Sequence, residues 1–89
     1  MTSYRVVWRR SAERELRSLP REWIARVVAL AESLADDPRP RGCRKLSGAE
    51  RTYRVRTGDY RLVYTVEDDR LVIEVVRVGH RREVYRRGP

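Results

Sequence analysis

Thr52-Tyr53-Arg54-Val55-Arg56-Thr57-Gly58-Asp59-Tyr60-Arg61-Leu62-Val63-Tyr64-Thr65-Val66 is the stretch that decides the fold. Two alternating runs, Thr52–Thr57 and Tyr60–Val66, flank Gly58-Asp59, a pair suited to a two-residue hairpin loop. Closing that loop sets Thr57 opposite Tyr60, Arg56 opposite Arg61, Val55 opposite Leu62 and Arg54 opposite Val63. Successive side chains point to opposite faces of a strand. One face therefore collects Tyr53, Val55, Thr57, Tyr60, Leu62 and Tyr64, and belongs on a core. The other collects Arg54, Arg56 and Arg61. A slip of one residue would bury the arginines.

A third strand, Arg70–Val78, follows through Glu67-Asp68-Asp69. The same alternation pairs Val66 with Leu71, Tyr64 with Ile73 and Leu62 with Val75, which continues the apolar face. Gly79 marks a break, and His80–Arg87 is a short C-terminal segment. Upstream, Tyr4–Arg9 alternates at Tyr4, Val6 and Trp8 and reads as a strand. Ser11 has the chemistry of an N-cap for a short helix, Ala12–Arg17, with acids in its first turn. Pro20 ends or interrupts it. From Arg21 to Ala35, the residues Ile24, Val27, Val28, Ala31, Leu34 and Ala35 keep helical spacing. Residues 36–45 form a loop rich in Pro, Arg and Gly. The predicted fold is α+β: a strand, a helical hairpin and a three-stranded antiparallel meander, with the helices on one face of a small sheet. The place of the first strand in that sheet stays open.

Length and charge bound the function. Residues 1–89 are expected to form one domain. A chain this short buries roughly 60–70% of its unfolded surface, enough for a modest core but not for a large enclosed cavity as well. No apolar run approaches the ~18 residues of a membrane span. The N-terminus lacks the apolar stretch of a signal peptide. A single cysteine, Cys43, fits a reducing cytoplasm, and one His with one Cys makes a zinc or iron–sulfur site unexpected. The net charge is +8, and all basic residues but Lys45 are arginine. The excess is segmental: residues 39–61 carry a net of +6 and residues 77–89 a net of +4, on either side of an acidic stretch. Brought together by folding, the two blocks form a surface for phosphates.

The hairpin register sharpens that expectation. Arg56 and Arg61 face each other with their β-carbons roughly 4.5–5.5 Å apart, and Arg54 lies about 7 Å along the same face. Opposed like charges destabilise a sheet. An anion between them removes that cost, and guanidinium groups grip phosphate through paired hydrogen bonds. The alternative is that the long stems splay into solvent and bind nothing.

Lys45-Leu46-Ser47-Gly48, Tyr53-Arg54-Val55-Arg56, Gly58-Asp59-Tyr60-Arg61-Leu62-Val63-Tyr64 and Val78-Gly79-His80-Arg81-Arg82-Glu83-Val84-Tyr85-Arg86 together resemble the RelE/ParE toxin superfamily, and the RelE branch more than the ParE branch. The likeness spans essentially the whole chain. It implies the toxin of a type II toxin–antitoxin pair that cleaves messenger RNA in the ribosomal A site. In that chemistry the substrate's own 2′-OH attacks the adjacent phosphate and leaves a 2′,3′-cyclic phosphate. No cofactor and no metal is implied. By the same resemblance, Arg54 and Arg56 fall where relatives carry basic residues, often lysines. Arg61 falls on a phosphate-stabilising arginine. Arg81 falls on an arginine that stabilises or protonates the leaving group, and Tyr85 on a tyrosine that stacks on or orients the nucleotide. Arg44, Lys45, Arg82 and Arg86 add charge for RNA or ribosome binding.

Arginine does not release its proton near neutrality, so Arg54 and Arg56 are poor proton acceptors. His80 and Glu74 are the remaining candidates for that role, Glu74 also being a ready salt-bridge partner. The resemblance further implies an acidic, partly disordered RelB-like antitoxin wrapped on the toxin in a hetero-oligomer, and the ribosome with mRNA in its A site. Two other readings stay open: a ParE-like gyrase poison, and an RNA-binding module without catalysis.

Overall fold

A computed structural model describes residues 3–80. Strand β1 (Arg5–Trp8) leads into helices α1 (Arg10–Arg17) and α2 (Arg21–Ser33). Then come β2 (Arg44–Lys45), β3 (Thr52–Thr57), β4 (Tyr60–Glu67) and β5 (Val72–His80). The strands form one sheet in the order β1-β5-β4-β3-β2. β1 runs parallel to β5, with Val6 opposite Ile73 and Trp8 opposite Val75. The other neighbours are antiparallel. β1 thus joins at the far side of β5, which makes β5 an interior strand and explains its near-continuous run Val72-Ile73-Glu74-Val75-Val76.

The helices cover one face. Ala12 from α1, Val27 and Ala31 from α2, and Leu34 just beyond it meet Val55, Leu62, Tyr64, Val66, Ile73, Val75 and Val78 in one buried cluster. On the other face, Val63 and Val76 are buried beneath Leu46. The β3–β4 register is the one the alternation requires, from Thr52 opposite Thr65 to Thr57 opposite Tyr60.

The second hairpin differs from expectation. Val66 pairs with Ile73 and Tyr64 with Val75, two residues further along than the sequence reading placed them. The connecting turn is two residues longer at its far end, because Leu71 adopts φ 54° and closes it before β5 begins at Val72. A shift of two preserves the faces. A bulge between Val63 and Tyr64 then brings Leu62 opposite Val78 and leaves Val76 as the extra residue.

Three boundaries also move. Ser11 is not the N-cap of α1; Arg9 is, with extended backbone at φ −64° and ψ 144° and no side-chain cap. The Arg9 N–H donates to Val75 O at 2.9 Å, so the chain stays in the sheet through Arg9, and Glu13 N–H then donates to Arg9 O at 2.9 Å. α2 ends at Ser33 rather than Ala35, since Leu34 and Ala35 N–H donate three residues back, to Ala31 and Glu32. The stretch read as a loop contains β2, which extends the sheet past β3.

The tight turn is sealed by an aromatic ring. Gly58 has φ 59°, and a Cβ there would lie 2.8 Å from Cζ3 of Trp23. Trp23 in turn tilts against Tyr60 at 4.9 Å between ring centroids. Gly58→Ala is expected to lower folding stability by about 1–3 kcal/mol. Denaturant unfolding measures the loss, and part of it disappears when the same change is made in a Trp23→Ala background.

Candidate functional site

The register places the arginines. Arg54, Arg56 and Arg61 lie on the face away from the helices, with Arg56 and Arg61 opposed. β2 brings a fourth, because Arg44 pairs with Arg54 and shares its face. The loop before β2 brings a fifth, Arg41. Together with Gly42 and Val55 these five line one open concavity of about 550 Å³. Arg54 and Arg61 are half-buried, while Arg41, Arg44 and Arg56 are exposed. No carboxylate, imidazole or thiol is among the lining residues. The concavity is therefore a cation cluster, suited to an oxyanion and able to stabilise charge that grows on a phosphorus centre.

The loop that carries Arg41 and leads into Arg44 of β2 is pinned from the other side of the sheet. The Arg39 guanidinium donates from Nη2 to Asp68 Oδ2 at 2.7 Å, from Nη1 to Asp68 Oδ1 at 3.2 Å, and from Nε to the Tyr53 hydroxyl at 3.0 Å. Its carbon also sits 5.2 Å from the centre of the Tyr53 ring. Tyr4 donates its hydroxyl to Asp68 Oδ1 at 2.6 Å. Tyr64, its ring fully buried, donates to Pro38 O at 2.8 Å. The hydrogen bonds from Arg39 and then from Tyr4 hold the Asp68 carboxyl below its ordinary pKa, and the bond to Asp68 raises that of Tyr4. Burial raises the Tyr64 phenol.

Among the sequence-derived candidates, Arg44, Arg54, Arg56 and Arg61 are brought together. Lys45 pairs with Tyr53, is exposed, and does not line the concavity. The His80 ring stands edge-on to Tyr60 at 5.9 Å between centroids, on the strand position next to Gly79, which opposes Arg61. It is not part of the lining. Glu74 does not reach the site either. The two-residue shift sets it opposite Thr65 instead of beside Val63, and it accepts a hydrogen bond from Arg9 Nη2 at 3.3 Å. Arg81, Arg82, Tyr85 and Arg86 lie outside the described residues. Sequence reasoning overlooked Arg41. Its only signal was the basic run 39–61, because no periodicity assigns a face to a loop residue. Among the described residues no group of three or more His, Cys, Asp or Glu side chains is placed to hold a metal ion, and no helix is long and apolar enough to cross a membrane.

An α+β fold with a basic sheet face defines a class that comparison with known proteins identifies. A family model described as the ParE toxin of type II toxin-antitoxin system, parDE, matches residues 6–85. Toxin RelG of Mycobacterium tuberculosis is 36% identical over 88 residues, which cover 94% of this chain and 98% of the relative. Toxin RelE of the same organism is 30% identical, covering 97% and 90%. Among solved structures, the RelBE2 toxin–antitoxin complex of M. tuberculosis superposes with a TM-score of 0.80 at 34% identity, covering 91% of this chain and 94% of that one. The archaeal RelE–RelB complex of Pyrococcus horikoshii gives 0.80 at 31%, covering 93% and 100%. The chain belongs to the RelE/ParE superfamily of type II toxin–antitoxin toxins, on its RelE side.

Two outcomes follow from the charge geometry. Inorganic phosphate at about ten times its dissociation constant stabilises the fold by about 1.4 kcal/mol; in thermal melts at matched ionic strength, this gain disappears in the Arg54→Ala/Arg56→Ala/Arg61→Ala variant. The Asp68 contribution to stability is present above the unfolded carboxyl pKa of about 3.9 and is lost as pH falls through the lower folded value. Stability curves of the parent chain and Asp68→Asn are therefore expected to converge only in acid, below about pH 4.

Proposed function

We propose that this chain is a metal-independent endoribonuclease that cleaves mRNA in the ribosomal A site, as the toxin partner of a RelB-like antitoxin. The observation that carries this reading is the concavity lined by Arg41, Arg44, Arg54, Arg56 and Arg61. The 2′ oxygen of the substrate attacks the neighbouring phosphorus. A P–O2′ bond forms and the P–O5′ bond breaks, which gives a 2′,3′-cyclic phosphate and a 5′-OH. Arg54, Arg56 and Arg61 neutralise the phosphorane, whose charge is greatest in the transition state. The ribosome fixes the substrate geometry, so a shallow site suffices.

Proton handling follows from the lining. With neither His80 nor Glu74 in the concavity, the 2′-OH proton leaves to solvent and electrostatic stabilisation supplies the rate. The departing O5′ takes its proton from solvent while the Arg81 guanidinium stabilises the developing negative charge, and Tyr85 orients the nucleotide. The antitoxin assignment is supported by the solved RelE–RelB complexes and by the net charge of +8, which suits an acidic segment that orders on binding.

On programmed ribosomes, Arg54→Ala, Arg61→Ala and Arg81→Ala are each expected to slow cleavage by about 10²–10³-fold with the fold retained, and His80→Ala by no more than a few-fold. Mapping of mRNA 5′ ends places the cuts within translated codons, and the upstream fragments end in 2′,3′-cyclic phosphate. Growth arrest with intact transcripts and inhibited DNA supercoiling, indifferent to these substitutions, would instead identify a gyrase poison. Salt-dependent RNA binding without a cyclic product would identify a non-catalytic module.

A further inference from the structure

The basic concavity is made by two parts of the chain that differ in rigidity. Arg54, Arg56 and Arg61 stand on paired strands and are aimed by the sheet itself. Arg41 is in a loop, and Arg44 is on a strand only two residues long, at the sheet edge. Left to backbone pairing alone, that edge would fray, and five like charges would drive it outward. What opposes this lies on the far side of β3. Arg39, two residues before Arg41, is locked by three hydrogen bonds to Asp68 and Tyr53, and Asp68 is held in turn by Tyr4. Pro38 O is held by Tyr64, and Cys43 N–H donates to Pro40 O at 3.0 Å. The segment through the loop and β2 thus wraps this end of the sheet, fastened on the helix side, with Arg41 and Arg44 delivered to the other.

We propose that Arg39 is a positioning residue for RNA, and that its clamp on Asp68 and Tyr53 holds Arg41 and Arg44 at the backbone phosphates that flank the one gripped by Arg54, Arg56 and Arg61. This rests on the RNA-binding reading above. It also gives a use to the acidic tip between β4 and β5. Asp68 is the counter-charge that lets a basic loop be fixed beside a basic face without placing a carboxylate inside the concavity.

The sign of one substitution separates this from simple electrostatics. Asp68→Asn makes the chain more positive, so long-range attraction alone tightens binding to RNA. Loss of the clamp weakens it. The test uses the full-length protein and a single-stranded RNA with 2′-O-methyl riboses, which lacks the attacking hydroxyl, so binding is read without cleavage. Asp68→Asn and Tyr53→Phe are expected to weaken affinity about three- to tenfold at 0.1 M salt. In Asp68→Asn, the slope of log K against log salt is expected to fall by about 1.4, the value for two lost phosphate contacts on a single strand. Arg41→Ala/Arg44→Ala should show the same slope, and adding Asp68→Asn to it should change nothing further. The control Asp69→Asn binds as tightly as the parent or slightly tighter. The clamp is overturned when Asp68→Asn keeps the parental slope, binds more tightly, or weakens binding additively with the double variant. A parent chain that binds this RNA without salt dependence overturns the RNA reading itself, and the proposal with it. Salt-dependent binding by a parent that cleaves nothing leaves the clamp standing and removes only the nuclease assignment.

Discussion

Arg56 facing Arg61 across a two-residue turn is the constraint on which the molecule is built. Nothing in folding rewards two guanidinium groups placed directly opposite each other. The pairing is fixed because the same register puts Val55, Leu62 and Tyr64 into the core, and any other register would exchange that burial for buried charge. The turn leaves little freedom to slip, since Gly58 occupies a left-handed conformation under the Trp23 ring. Apolar burial on one face thus holds a repulsive arrangement on the other. An anion seated between the two guanidinium groups would relieve that repulsion, which is why the face suits phosphate.

Around that hairpin the remaining charges have settled into distinct tasks. Glu74 is engaged by Arg9. Glu15 accepts the Val78 N–H at 2.9 Å and lies 4.0 Å from Arg77, which ties α1 to the end of β5. Asp68 holds the Arg39 side chain. None of these carboxylates lines the concavity. The division lets a chain of 89 residues with 13 acidic groups line a concavity with five arginines and no carboxylate.

Much of this was readable in the amino-acid order. Strict alternation over Thr52–Val66 gives the faces of β3 and β4 and the shared face of Arg54, Arg56 and Arg61, because a period of two leaves only one register with a dry core. Less legible were features set by long-range contacts. The longer turn at Leu71 and the bulge at Val76 depend on how β5 fits between β1 and β4, and no local pattern records that. The same shift removes Glu74 from the site, an error of two residues that leaves the face correct and the neighbour wrong. Arg41 and the Arg39 clamp sit in a loop without periodicity. Their roles emerge only when a hairpin tip 29 positions away comes within hydrogen-bond reach. His80 is beside the arginines in sequence, yet its ring packs on Tyr60.

Arginine side-chain resonances provide a decisive measurement. With ¹⁵N-labelled arginine, the Nε–Hε signals of Arg41, Arg44, Arg54, Arg56 and Arg61 should shift together, along one binding curve, as a short 2′-O-methyl RNA is added. The signals of Arg14 and Arg26 on the helices should stay still. Movement confined to the helical arginines, or five site arginines that respond at unrelated concentrations, would contradict a single phosphate-gripping face.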